Sequence, residues 1–228
     1  MKIEVWYDFV CPLCYIGKRR LEIALDKFNY EDEVELVFKS FEIDAFSEEH
    51  NNETMNEITA RKYHITLEEA KASNHYIVEK AKAVGLDFNL DEVIPKNTFD
   101  AHRVLHCAKA ENKMEEMAER IFKAHFVDAF DISDYFVLAS LAGEVGLNSE
   151  KVFSILESDQ YSEDVTKDEE TASRLGIAGV PYYIINSKYV VPGAQPPELL
   201  LEILEKAKED EMAAAAHSIM DELLGRIL

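Results

Sequence analysis

The strongest constraint on this chain is a change of hydrophobic period between residues 9 and 14. Ile3, Val5, Tyr7 and Phe9 fall on one side of an alternating, β-rich segment, which predicts a strand. From Cys11 onward the period becomes helical through Cys14, Leu21, Leu25 and Phe28, with Pro12 where a first-turn proline costs no hydrogen bond. A helix is expected from about residue 12 to 28. Cys11 and Cys14 therefore sit on its first turn, where helix geometry puts their Cα atoms about 5–6 Å apart, within reach of a disulfide. So small a ring adds little stability when closed, which suits switching better than stapling. The unpaired N–H groups and dipole at a helix start favour a thiolate at Cys11, and pairs of this type have thiol pKa values of roughly 3.5–7.5. Cys11 reads as the exposed nucleophile and Cys14, one turn in, as the resolving thiol. Pro12 and Leu13 between them tune the thiol–disulfide balance. Lys18, leaning back along the helix, is expected to bring positive charge toward the sulfurs, with Asp8 opposing it if close.

Val34 to Lys39 read as a second strand, so strand, helix and strand form a parallel crossover, the start of an α/β sheet. Between about 43 and 160 roughly six helical patterns follow one another. Thr66 opens one that ends at Gly85, Asn97 or Thr98 one that runs through Ala110, Ser133 one that closes near Gly143 or Gly146, and Asn148 the next. Glu163 to Leu175 is a further helix, Pro181 to Ile185 and Tyr189 to Val191 make a tight hairpin around Asn186-Ser187, and Pro196-Pro197 opens a last long helix. The expected architecture is an α/β domain from residues 1–42 and 159–228, interrupted by a helical domain at 43–158.

Three cysteines in 228 residues do not make a disulfide-stapled scaffold. Lys and Arg total 24 against 45 Asp and Glu, a formal charge of −21 that repels nucleic-acid backbones and anionic lipid. The opening residues lack the order of a secretory leader and no apolar run reaches a membrane-spanning length, so the expected compartment is the cytosol. A C-x-x-C pair is also half of a zinc site, for which His102, His106 and Cys107 are the further candidate ligands. Adjacent His106 and Cys107 point to different faces of a helix, so no metal is expected. Cys107, between Leu105 and Ala108 in sequence terms flanked by apolar neighbours, reads as core. His102 and Arg103 read as cleft-lining residues or, more simply, as a helix-surface or satisfied buried pair.

Four stretches carry a resemblance: Asp8-Phe9-Val10-Cys11-Pro12-Leu13-Cys14-Tyr15-Ile16-Gly17, Asn97-Thr98-Phe99-Asp100-Ala101-His102-Arg103, Gly176-Ile177-Ala178-Gly179-Val180-Pro181, and Pro192-Gly193-Ala194-Gln195-Pro196. Together they resemble the DsbA-type thiol-disulfide oxidoreductases, and more narrowly their FrnE-like cytoplasmic branch, over essentially the whole chain. The resemblance implies a thioredoxin-like fold with a large helical insertion, Cys11 as attacking sulfur, and Pro181 in the cis form facing the pair. It also implies that the Val180 backbone pairs with an extended substrate strand. Leu13 departs from the aromatic residue many relatives carry there. The implied partner is a disulfide-containing protein or small thiol, with glutathione as co-substrate and no other cofactor.

Two other functions compete. Relatives of the glutathione-dependent isomerase and kappa transferase type generally carry serine at the first active position, which Cys11 contradicts. A redox-sensitive binding module is the third reading. The C-terminal stretch with Met212, Ile219, Met220, Leu223, Leu224, Ile227 and Leu228 is amphipathic and is expected to pack on its own domain or to form a homodimer contact.

Overall fold

The computed structural model describes residues 1–43 and 53–225, with side chains as far as 217. β1 (Lys2–Tyr7) leads into α1 (Pro12–Leu25) and then β2 (Glu35–Ser40). β2 runs parallel to β1, with Lys2 opposite Glu35 and Tyr7 opposite Ser40, so the predicted crossover is present. α2 (Met55–Tyr63), α3 (Leu67–Lys82), α4 (Phe99–Ala110), α5 (Met114–Phe126), α6 (Tyr135–Glu144) and α7 (Ser149–Leu156) follow. The chain then returns through α8 (Ser162–Arg174), β3 (Tyr182–Ile185), β4 (Tyr189–Pro192) and α9 (Pro197–Gly225). Among the described residues the strands form one sheet in the order β2-β1-β3-β4, with β3 antiparallel to both β1 and β4. This is the thioredoxin-like fold with a large helical insertion.

Local chemistry sets most of the element ends. α3 begins with a capping box in which the Thr66 hydroxyl accepts from the Glu69 amide and the Glu69 carboxylate accepts from the Thr66 amide. It stops at Lys82, where the Leu86 amide folds back onto the Ala81 carbonyl and Gly85 takes a φ of +78° that glycine adopts without strain. α6 opens from Asp134, one residue later than expected. Its carboxylate accepts two amides, those of Phe136 and Val137, while Ser133 turns to Asp131. α1 ends at Leu25 rather than 28, because the Lys27 and Phe28 amides tighten onto the carbonyls three residues back. Phe28 still packs in the core.

β1 lies in the middle of the sheet and is buried on both faces. Ile3, Val5 and Tyr7 join a cluster that runs without a break from the sheet through α1 and α9 into α4, α5, α6 and α7, so packing is continuous across the two expected domains. On the other face Trp6 packs with Ala172 and Ile177, and its indole N–H donates to the Asp168 carbonyl at 3.2 Å. The Asp168 carboxylate ties α8 to β2 and α4. It accepts from Lys39 at 2.8 Å and from the Ser40 amide at 3.1 Å, and it lies 3.3 Å from His106 Nε2. At the far end, Lys208 donates to Glu33 at 2.6 Å and Tyr189 to Asp210 at 2.6 Å, which dock the middle of α9 on the sheet side. Of the C-terminal apolar stretch, Met212 is exposed; the side chains from Ile219 to Leu228, and with them the expected packing or homodimer contact, lie outside the described residues.

Burial alone would push the Asp168 carboxyl up, but the hydrogen bond with His106 and the Lys39 ammonium hold it below the usual carboxylate range. A depressed native pKa contributes stability above the unfolded value of about 4 and loses it as pH falls through the native one. Asp168→Ala is expected to cost roughly 2–3 kcal/mol at neutral pH. In urea titrations repeated along the pH scale, its stability should fall less steeply than the wild-type's below about pH 4.

Candidate active site

The end of β1 turns directly into the first helix. The Cys11 amide closes that turn on the Asp8 carbonyl at 3.1 Å, Cys11 itself is the N-cap of α1 in an extended conformation, and Pro12 fills the first helical position. The Cys14 amide bonds the Cys11 carbonyl at 2.9 Å, placing the second thiol one turn in. Both thiols are free, and the two act on each other electrostatically. Cys11, expected to be exposed, is only 6% exposed against 2% for Cys14. It is covered from across the cleft, where its sulfur donates to the Val180 carbonyl at 3.7 Å.

The Val180–Pro181 bond is cis. Three contacts tie this loop, the turn after β4 and α1 together. The Gly193 amide donates to the Pro181 carbonyl at 2.7 Å, and Arg20 from α1 donates to the Ala194 carbonyl at 2.6 Å. Gly17 supplies the third: a Cβ there would collide with the Tyr183 hydroxyl and stand 2.9 Å from Pro181 Cγ. The bare helix surface at residue 17 is what lets the loop come close. Sequence reading missed Gly17, Arg20 and Tyr183; a glycine one turn beyond the second cysteine, inside a helix, was the available signal.

Burial pushes the Cys14 thiol well up, and the hydrogen bond and charge of Cys11 push the same way; the Asp8 amide opposes them, while the Asp8 charge adds to the upward push, as the sequence led one to expect of a nearby carboxylate. The Asp8 carboxylate, itself 1% exposed, does not point freely at the sulfurs. It accepts from Thr98 Oγ1 at 2.8 Å, from the Ile43 amide at 2.7 Å and from Val10 at 3.4 Å. Lys18 does not lean toward the thiols either. Its ammonium runs the other way, to Glu22 one turn on and to Glu119 of α5 at 2.7 Å, because two carboxylates hold it there. Leu13 and Pro12 are half-buried at the mouth of the site, and Leu13 packs on the core.

The residues left open by sequence have structural surroundings. Arg103 is buried and donates to the carbonyls of Gln160 at 2.9 Å and Leu156 at 3.4 Å, as well as those of Ile155 and Ser158, satisfying the end of α7 and the turn beyond it rather than lining a cleft. Cys107 is core, and burial raises its thiol. His106 Nε2 meets both Ser40 Oγ, at 3.1 Å, and Asp168; one nitrogen serving both leaves no serine–histidine–aspartate relay. His102 is neither on the surface nor hydrogen-bonded. Its ring is fully buried against Phe9 and Tyr7, 3.8 Å from Asp8 Oδ1, and neither nitrogen has a hydrogen-bond partner among the described residues. Among those residues no three His, Cys, Asp or Glu side chains converge as a metal site.

A reduced dithiol that caps the first helix and faces a cis-proline loop, on a sheet wrapped by helices, defines a thioredoxin-like protein. Comparison with known proteins narrows this. The model of the DSBA-like thioredoxin domain matches residues 2–205, and the chain belongs to that family. It is 31% identical over 212 residues to the uncharacterised protein YwbO of Bacillus subtilis strain 168, covering 92% of this chain and 96% of that one. It resembles the solved structure of a probable DsbA oxidoreductase, SCO1869 of Streptomyces coelicolor, at 34% identity and a TM-score of 0.88 over 92% of this chain and 90% of that one. A 2-hydroxychromene-2-carboxylate isomerase shares the fold at 14% identity and a TM-score of 0.67, over 95% and 98% of the two chains.

Gly17→Ala should force the loop at Pro181 away from α1. The expected result is a loss of about 1–3 kcal/mol, typical of overpacking, read as a lower urea midpoint at unchanged slope.

Proposed function

We propose that this chain is a dithiol–disulfide exchange enzyme in which Cys11 attacks and Cys14 resolves. The observation that carries the reading is the Cys11 sulfur resting on the Val180 carbonyl beside Pro181, with Cys14 immediately behind it. While Cys11 is a thiol, its S–H occupies that carbonyl. Ionisation removes the donor and frees the carbonyl to accept an N–H from an extended substrate strand laid beside the sulfur. Substrate recognition and activation of the nucleophile are then one event. The Cys11 thiolate attacks a substrate disulfide, a mixed disulfide forms, and Cys14 displaces the reduced product.

The substrate class is a disulfide-containing protein or a small thiol disulfide such as glutathione disulfide, acted on in the cytoplasm by a member of the FrnE-like branch. Family membership supports the redox chemistry, and the absence of any helix among the described residues long and apolar enough to cross a membrane is consistent with the setting. Two cysteines, where the isomerase-type reading calls for serine at the first position, rank that alternative lower.

Cys11→Ser should abolish reduction of insulin and of glutathione disulfide while leaving the unfolding midpoint near that of the wild type. Cys14→Ser should trap the substrate on Cys11 as a mixed disulfide visible by mass spectrometry. Undiminished turnover by Cys11→Ser would end this reading.

A further inference from the structure

Two buried phenols have hydroxyls without a partner, and both belong to the sheet face on which the helix of the resolving thiol lies. Tyr7 is 2% exposed and Tyr183 is fully buried; among the described residues neither hydroxyl makes a hydrogen bond. Their placement follows from the sheet. β1 and β3 are antiparallel with Val5 opposite Tyr183, so Ile3, Val5 and Tyr7 share a face with Tyr183 and Ile185. Tyr7 is the diagonal neighbour of Tyr183, one step toward Pro181. α1 lies on this face, since the Tyr183 hydroxyl occupies the notch at Gly17. Cys14 precedes Gly17 by one turn on the same side of the helix, so its sulfur stands above the Tyr7–Tyr183 diagonal. Among the described residues the Tyr7 ring is walled by Phe9, Phe38, Phe122 and the His102 ring, and no hydrogen bond joins its hydroxyl to any of them.

A buried hydroxyl without a partner is costly, and evolution rarely leaves two in one place without use. A neutral thiol is a weak acceptor and a thiolate a strong one. We propose that the hydroxyls of Tyr7 and Tyr183 are positioning groups that donate to the Cys14 sulfur when it ionises to resolve the mixed disulfide. The proposal rests on the dithiol-exchange reading and assigns the residues that make its second half fast. In that step the Cys14 thiol releases its proton to solvent and its sulfur bonds to Cys11 Sγ. The bond from Cys11 to the substrate sulfur breaks, and the substrate leaves with the electron pair as a thiolate. The dithiol is oxidised to a disulfide and the substrate disulfide ends as two thiols.

The electrostatics agree. Burial pushes both phenols up, and after burial the foremost influence on each is the charge of Cys14. Cys11 acts on Tyr183 as well, but it is not among the influences on Tyr7, where Asp168 and Asp8 come next. The other charged or titratable groups packed here are accounted for. Asp8 is bound to Thr98 and Ile43, Arg20 reaches Ala194 and weakly favours the Tyr183 phenolate, His102 lies 5.8 Å from the Tyr7 ring centre, and Lys18 is turned to Glu22 and Glu119. Of the two thiols, the charge of Cys14 alone bears on Tyr7, so the Tyr7 variant is the discriminating one.

The test is stopped-flow reaction of the reduced protein with the aromatic disulfide dithiobis(nitrobenzoate). The first release of coloured thiolate reports attack by Cys11 and the second reports resolution by Cys14, with Cys107 buried. In Tyr7→Phe the second phase should slow roughly tenfold at neutral pH, and its pH profile should move up by about one unit, the displacement that matches a tenfold change. The first phase should keep its wild-type rate. Tyr183→Phe should shift the second phase in the same direction. Second-phase profiles of Tyr7→Phe and of the double variant that superimpose on the wild type would overturn the proposal. So would a uniform slowing of both phases, which marks a packing role. A wild-type protein that gives no second phase at all would instead overturn the exchange reading, and this proposal with it.

Discussion

The close approach of α1 to the loop at Pro181 is the contact on which the rest of the site depends. It exists because residue 17 has no side chain, so that Tyr183 and Pro181 occupy the space a Cβ would take. From it follows the placement of Cys11 against the Val180 carbonyl and of Cys14 over the β1–β3 pair. The Arg20 bond to Ala194 and the Gly193 bond to Pro181 close the same contact from its edge. Helix, cis loop and the turn after β4 thus behave as one packed unit, and packed units of this density do not deform gradually.

The two thiols differ because of where that unit buries them. Cys14 lies one turn inside, where the low-dielectric interior disfavours its charge. Cys11 caps the helix, with the open amides of the first turn at hand. Among the carboxylates the charge of Asp8 does act on Cys14, pushing its thiol up, although its oxygens are taken by other donors. Asp8 is saturated by donors from Thr98, Ile43 and Val10, and Glu22 and Glu119 are engaged by Lys18 and Arg19 on the far side of α1. Asp168 spends its charge on joining α8, β2 and α4. Around the dithiol these charges serve structure first, and Asp8 is the one among them that also bears on a thiol.

Much of the fold could be read from the residues in order. Alternation in Ile3, Val5 and Tyr7, the helical period from Cys11, the capping box of Thr66 and Glu69, and the turn at Asn186-Ser187 are local signals, and each produced its element. Misplaced boundaries were likewise local. Asp134 outcompeted Ser133 because a carboxylate accepts two amides at once, and α1 stopped short of Phe28 because its last turn tightened. Lys18 was misread for a different reason. Its direction is set by Glu119, a residue 101 positions away that no local pattern connects to it.

The sequence by itself determined that two cysteines would lie one turn apart at the start of a helix, because strand and helix periods meet at that point and spacing of three is a property of the helix alone. Only the tertiary structure decided what faces them. The Val180 carbonyl, the phenols of Tyr7 and Tyr183, and the notch at Gly17 meet Cys11 and Cys14 through β1–β3 pairing between segments about 180 residues apart. Side-chain chemistry is written residue by residue, but burial and neighbourhood arise from long-range packing, and those set the behaviour of a thiol.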